Sequence, residues 1–380
     1  MFDSFKAFTD RLLGRGSAAI TVPVMDGTLK PNRRLDQAEL LAELPGIDDI
    51  AWDGQTLWAS AGKVLWRLDG TQFSESQRFD AEISAIAVSR HGRLAVALGG
   101  AQIRVLDAGG RPVATLDALA GQPLHCVNAL AWDGEDALLL TDGSRQHGPA
   151  QWSRDLMTLG HSGRAGRWSL LAGQAELLAQ GLAYAYGVLP TASGVLVAES
   201  WRHRVLLRSN SGHAGTNTSG NSSSNTSSST SLLAELPGYP SRMAPAADGG
   251  FWLACFVCRT QLVEFVLREP GYRQRMVAEI APEHWIAPAL SSGHSFLEPL
   301  QGAGVKNMGV LKPWAPPRSY GLVLHVSANG RILESLHSQV DGRHHGITAV
   351  AEHGGVLLCA SKGSGRLLRV DLSPPQGELA

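Results

Sequence analysis

The chain has 380 residues, with 33 Lys and Arg against 34 Asp and Glu, a formal net charge of −1 and 44% hydrophobic residues. Its basic residues are scattered, so the electrostatic footprint of a nucleic-acid binder is missing, and no run approaches the ~18 apolar residues of a membrane span. Length alone sets no domain count, because all-β repeat architectures often exceed the average domain as one unit.

The first segment, MFDSFKAFTDRLLGRG, lacks the continuous apolar core and small-residue cleavage site of a secretory signal. Phe2, Phe5, Phe8 and Leu12 share one helical face, which predicts an amphipathic helix over 1–20, docked on the body of the protein or in peripheral contact with a membrane.

From residue 21 onward one pattern recurs: a short apolar strand, a Gly/Asp/Asn turn, a second apolar strand, a polar turn and a third strand. The copies begin at Asp48 (DDIAWDGQTLWASAGKVLWRLDG), Ile83 (ISAIAVSRHGRLAVALGGAQIRVLDAGG) and Val127 (VNALAWDGEDALLLTDGS, with GRWSLLAG from Gly166). They continue at Ala185 (AYGVLPTASGVLVAESWRHRVLLRS), Pro240 (PSRMAPAADGGFWLACF, with YGLVLHVSANG from Tyr320) and Ile347 (ITAVAEHGGVLLCASKGSGRLLRVDL). A lone meander cannot bury both of its faces, so the units must stack, and repeated small antiparallel sheets around an axis predict an all-β, six-bladed β-propeller over 21–380. The runs LAVAL, ALLLT, GVLVAE and GVLLCA suit strands covered on both faces by neighbouring blades. The Trp-Asp pairs at Trp52-Asp53 and Trp132-Asp133 run straight into a hairpin turn, unlike the late-strand dipeptide of WD40 repeats.

Two segments break the period. Residues 209–231, almost devoid of apolar side chains, cannot offset their ordering entropy by burial and are expected to form a disordered Ser/Asn/Thr loop from blade four. Residues 261–318 interrupt blade five between its second and third strands; QLVEFVLREPGYRQRMVAEI reads as helix on both sides of Pro270, and the Pro- and Trp-rich remainder reads as a lid over the channel mouth, or as an edge cap or oligomer contact. Cys126, Cys255, Cys258 and Cys359 lie in or beside apolar runs, as buried free thiols of a reducing compartment do, so a cytoplasmic protein is the default. The CxxC spacing of Cys255 and Cys258 has no second pair to complete a zinc site.

The stretches DGTLKPNRRLD, LPGIDDIA, CVNALAW, LLLTDGS, WSRDLMTLGHSGRAGR, GLAYAYGV, VLVAESWRHRVLLR, LPGYPSRM, DGGFWLAC and ITAVAEHGGVLLCAS resemble, in order and spacing, the strictosidine synthase-like branch of the six-bladed propellers. That superfamily also holds the paraoxonases, the gluconolactonases and the adipocyte plasma membrane-associated protein. The resemblance implies an axial site at the start of the innermost strands, which in metal-dependent members holds calcium. Carried over to this chain, the first ligand position is Asp48, the second Asn128, the third is replaced by Tyr186 and the fourth by Ser241-Arg242. Asp48 and Asn128 are the metal ligands only if a metal is retained.

Arg242 then stands in a ligand's place, and its guanidinium is expected to replace the cation and pair with Asp48; an outward-facing arginine is the alternative. Two unit charges about 4 Å apart at a near-surface effective dielectric interact by roughly 4 kcal/mol, so a divalent ion beside a fixed arginine meets a repulsion on the order of 8 kcal/mol. The expectation is no cofactor, with calcium weak or absent. Aligned on EHGG, Thr348 falls where strictosidine-forming members carry their catalytic Glu, which makes that condensation unlikely. His125, His344 and His345 are the candidate general bases near the channel mouth.

Two functions follow from the resemblance and the residues. One is a hydrolase of small esters or lactones, with Arg242 supplying the charge that calcium supplies elsewhere and one of the three histidines activating water. The other is a non-catalytic propeller that binds a small anionic or aromatic ligand or serves as a scaffold. In either case the ligand-binding set is Asp48, Asn128, Asp142, Tyr186, Ser241, Arg242 and Thr348.

Overall fold

The computed structural model describes residues 22–209, 229–295, 297–299 and 318–372. The helix expected over 1–20, most of the Ser/Asn/Thr loop and the distal part of the 261–318 insertion lie outside these residues.

Six four-stranded antiparallel sheets form six blades around a closed ring of inner strands. The inner strands are Ile47–Trp52, Ile83–Val88, Val127–Asp133, Ala185–Thr191, Gly238–Pro245 and Ile347–His353, each touching the next and the last touching the first. The second strands, such as Leu94–Leu98, Ala137–Asp142 and Phe251–Cys258, are buried along their whole length, as strands sandwiched between blades must be. Each of the six blade interfaces holds an apolar cluster of its own. Leu138, Leu140 and Trp168, for example, meet Ala95, Ala97 and Val105 of the preceding blade.

Blade six takes its outer strand from the other end of the chain. Glu39–Glu43 pairs antiparallel with Arg366–Asp371 and closes the ring, a contact that the repeat pattern did not signal. The preceding strap lies along the outer strand of blade five. There the Asn32 amide donates to the Ser335 carbonyl at 2.9 Å, the Leu35 N–H donates to the His337 carbonyl at 3.1 Å, and Arg33 pairs with Asp341 at 2.6 Å.

His337 sits under this strap, its Nδ1 3.0 Å from the Tyr320 hydroxyl and its Nε2 2.8 Å from the Ser335 hydroxyl. Burial pushes its pKa down to about 4. The unfolded imidazole, with a pKa near ~6.5, therefore takes up a proton that the folded one refuses, so stability present above that pH is lost as pH falls through 6.5 toward 4. Burial also lowers His203, His344 and His345. We expect urea-unfolding stability to fall over this window, with His337 contributing up to ~1.4 kcal/mol per pH unit, the other three histidines adding in the same direction and the raised Asp49 opposing them, and the slope to shrink by about one proton in His337→Gln. A stability flat from pH 7 to 4.5 would contradict this.

The insertion in blade five begins as read from the sequence, with helices at Gln261–Arg268 and Pro270–Glu279. The Thr260 hydroxyl caps the first by accepting from the Val263 N–H at 3.2 Å. Val263, Val266, Met276 and the fully buried Trp285 pack on Tyr184, Tyr186, Tyr239 and Phe256, so the described part of the insertion lies over the end of the axis where the inner strands begin. Farther along, the Leu290 carbonyl presses on blade six so closely that a Cβ on Gly363 would collide with it. The expected disordered loop was drawn too long at its far end, since Ser229–Leu233 pairs with Arg204–Ser209 as the fourth strand of blade four. All four cysteines are buried and free.

Candidate functional site

Each inner strand carries the same irregularity. In five of them the pairing register slips at the second residue: Asp48, Ser84, Asn128, Tyr186 and Thr348. In blade five the slip covers the two residues Ser241 and Arg242. A β-bulge leaves a residue unpaired and re-aims its side chain, and here six bulges around one axis make a ring of inward-facing groups.

Arg242 fills the ring. It is 6% exposed. Its Nε donates to the Asn128 carbonyl at 2.9 Å, Nη1 to the Asp48 carbonyl at 2.9 Å and the Thr348 carbonyl at 3.4 Å, and Nη2 to the Ser84 carbonyl at 2.7 Å. Carboxylates neutralise it, with Asp48 at 3.4 Å and Asp49 at 3.2 Å, and its guanidinium carbon lies 5.2 Å from the Tyr186 ring centroid. A single side chain from blade five therefore contacts the inner strands of the other five blades.

The electrostatics follow from burial and these pairs. Burial acts to raise the Asp48 carboxyl, but Lys362, whose ammonium lies 3.1 Å away, and Arg242 outweigh it and hold the group below the usual carboxylate range. Asp49 is pushed up by burial to about 6, against Arg242 and the N–H groups of Ile86 and Ile50 that donate to it at 2.8 and 2.9 Å. For Arg242 burial favours loss of the proton, and Asp49, Tyr186 and Asp48 more than offset it. Two acids thus face two cations.

On the lid side of the guanidinium lies a cavity of about 20 Å³, lined by Asp48, Ser84, Asn128, Tyr186, Thr348 and Lys362 and roofed by Pro149, Trp152, Phe256 and Leu290. That volume holds about one water molecule. Asn128 is 2% exposed; its Oδ1 accepts from the Thr141 hydroxyl at 2.7 Å, while its Nδ2 has no partner. The Thr348 hydroxyl is committed to the Asp48 carbonyl at 2.6 Å and that of Ser241 to the Ala254 carbonyl at 3.0 Å. On the opposite side a funnel of about 840 Å³ opens, walled by residues such as Ile50, Ile86, Leu130, Leu189 and Val350 and floored by Asp49 and Arg242.

The structure brings Asp48, Asn128, Tyr186, Arg242 and Thr348 together and leaves the other candidates elsewhere. His125 has an exposed side chain, and only its backbone N–H reaches Asp142, at 3.2 Å. The Nδ1 of His345 faces the Ser319 hydroxyl at 2.8 Å and its Nε2 the Gln339 carbonyl at 2.6 Å, so both nitrogens are occupied by the fold. His344 lines a separate cleft beside Asp36 and Arg366. Asp142 is consumed locally: it accepts from the Cys126 N–H at 2.7 Å and pairs with buried Arg164, which also donates to the Leu119 and Pro123 carbonyls. Asp49, Ser84 and Lys362 belong to the site and were not singled out from the sequence. Ser84 holds the second place in ISAIAV that Asn128 holds in VNALAW, so aligning the repeats on that place would have found it.

No cluster of three or more His, Cys, Asp or Glu side chains suited to a metal ion occurs among the described residues, and no described helix is long and apolar enough to cross a membrane. No protein-family model matches the chain. An alignment of 183 positions, covering 44% of this chain, is 30% identical to strictosidine synthase-like 10 of Arabidopsis thaliana but spans only 46% of that protein's length. The adipocyte plasma membrane-associated protein of Salmo salar is 25% identical over 384 residues, covering 92% of this chain and 82% of that protein. Among solved structures, a gluconolactonase from Xanthomonas campestris matches with a TM-score of 0.53 at 13% identity, covering 87% of both chains. The calcium-binding protein regucalcin of Agrobacterium tumefaciens matches with a TM-score of 0.51 at 11% identity, covering 88% of this chain and 92% of that one. The chain is thus a six-bladed β-propeller, similar in sequence to the strictosidine synthase-like and adipocyte plasma membrane-associated proteins and in fold to the gluconolactonases and regucalcin.

Proposed function

We propose that this propeller is a small-molecule ester or lactone hydrolase that works at the lid-covered end of its axis without a metal. The observation that carries the reading is the convergence, on one cavity, of an unpartnered buried donor, Asn128 Nδ2, with the Lys362–Asp48 ion pair and Tyr186. The guanidinium occupies the centre of the ring and binds the oxygens a calcium ion would need, so calcium does not fit. The polarising role passes from Arg242 to Lys362 and Asn128.

In this reading a water attacks the acyl carbon and gives its proton to the Asp48 carboxylate, and the carbonyl oxygen takes up negative charge facing Asn128 Nδ2 and Lys362 Nζ. The C–O bond to the leaving oxygen then breaks, and that oxygen recovers the proton from Asp48. Arg242, whose N–H groups are engaged by carbonyls and carboxylates, shapes the site without touching substrate. Room for a substrate requires the roof at Leu290 and Trp152 to swing away.

A panel of p-nitrophenyl acetate, phenyl acetate and δ-valerolactone tests this. Turnover should persist in excess chelator and fall on the order of 100-fold in kcat/KM in Lys362→Met and in Asp48→Asn, with folding checked by circular dichroism. A silent panel, or activity indifferent to both substitutions, contradicts the proposal. The small closed cavity and the saturated guanidinium favour one second reading, a binding propeller that holds a small ligand without turnover; a silent panel together with a tightly retained metabolite in the purified protein would support it.

A further inference from the structure

The seam where the ring closes holds a second cleft, of about 460 Å³, separate from the axis. Three chain segments meet there: the strap with Arg33 and Asp36, the linker into blade six with Asp341, Arg343 and His344, and Arg366 of the last strand. Three guanidiniums face two carboxylates in its lining. Arg33 is held by Asp341 at 2.6 Å and Arg366 by Glu43 at 3.3 Å, while the exposed Arg343 has no ion pair among the described residues.

Two buried polar atoms at this cleft are unmatched. His344 is 5% exposed and its Nδ1 has no partner. Asp36 uses its Oδ1 to accept from the Ser338 hydroxyl at 2.7 Å and the Arg343 N–H at 3.0 Å, whereas its Oδ2 accepts no hydrogen bond and has only the Arg33 guanidinium at 4.0 Å beside it. A buried acceptor without a hydrogen bond is destabilising, so a cleft that keeps one beside the unpaired Arg343 guanidinium is matched to a molecule with a donor and an anionic group close together.

We propose that this cleft binds a small carboxylic acid bearing a donor on its α-carbon, an α-amino or α-hydroxy acid. Its carboxylate lies on Arg343 and Arg366, its ammonium or hydroxyl donates to Asp36 Oδ2, and His344 Nδ1 takes the remaining polar contact. Ala38 and Leu40, which also line the cleft, receive the aliphatic part. Because the bound molecule ties the strap to the last strand, Arg366–Asp371, it stabilises ring closure.

L-valine, L-2-hydroxyisovalerate and isovalerate share one skeleton and differ only in the α-substituent. Titration calorimetry of the full chain should show saturable binding of the first or second, at least tenfold weaker binding of isovalerate, and a matching rise in Tm. Preference between the first two identifies the donor as ammonium or hydroxyl. Arg343→Ala, at an exposed and unpaired position, should retain the unliganded Tm and lose at least tenfold in affinity. The proposal is overturned if none of the three binds, if isovalerate binds as well as the others, or if Arg343→Ala leaves binding unchanged.

Discussion

Arg242→Met should destabilise the propeller by about 3–5 kcal/mol, the range seen when one partner of a buried ion pair is removed. The loss has two parts. Asp48 and Asp49 stay buried with one cation in place of two, and the Ser84 and Asn128 carbonyls lose the Arg242 donor at a cost of about 1–3 kcal/mol for each left unmatched, while the Asp48 and Thr348 carbonyls keep hydroxyl donors from Thr348 and Ser241. The variant also carries a pH signature. Without the guanidinium the Asp49 carboxyl, already pushed up by burial to about 6, is raised further, while Lys362 remains to hold Asp48 down; the stability Asp49 permits is greatest when it is protonated and is lost as pH rises through its folded pKa. Relative to the parent, whose buried histidines it shares, Arg242→Met should therefore recover part of its deficit between pH 7 and pH 5. Equilibrium unfolding in urea at the two pH values reads this directly. A variant as stable as the parent at pH 7, or one whose deficit relative to the parent widens at pH 5, contradicts the role assigned to Arg242.

Much of this architecture was legible because repeats are legible. The apolar second strands, the Gly-rich turns and the helical pattern on both sides of Pro270 each carry a local signal, and each element lies where that signal put it. The closing strand carries none: Glu39–Glu43 has an exposed, mixed face, and only its pairing with Arg366–Asp371 makes it part of blade six. The axial residues divide in the same way. Asp48, Asn128, Tyr186, Arg242 and Thr348 came from the family resemblance, and the structure shows that all five lie where their inner strands bulge. Lys362 was missed because it comes from the hairpin after the second strand of blade six and reaches the axis only through the fold. The histidines misled because nearness in sequence to an inner strand does not fix direction. His125 precedes its strand with an exposed side chain, and His345 is turned to Ser319 and Gln339.

The second large effect concerns calcium. A guanidinium fixed among four backbone carbonyls and two carboxylates occupies the space and most of the oxygen lone pairs of the ring. Calcium needs about six to eight oxygens; here Asn128 Oδ1 already accepts from Thr141, the Asp48 carbonyl accepts from Thr348 and Arg242, and the Asp48 carboxylate is ion-paired with Lys362. The repulsion on the order of 8 kcal/mol between a divalent ion and the fixed arginine corresponds to more than five orders of magnitude in affinity. A calorimetric titration of the metal-stripped chain with calcium chloride asks the question most directly. The guanidinium-centred axis requires that no site tighter than millimolar be found, whereas one equivalent of calcium taken up with micromolar or better affinity would show that the ring still holds a metal.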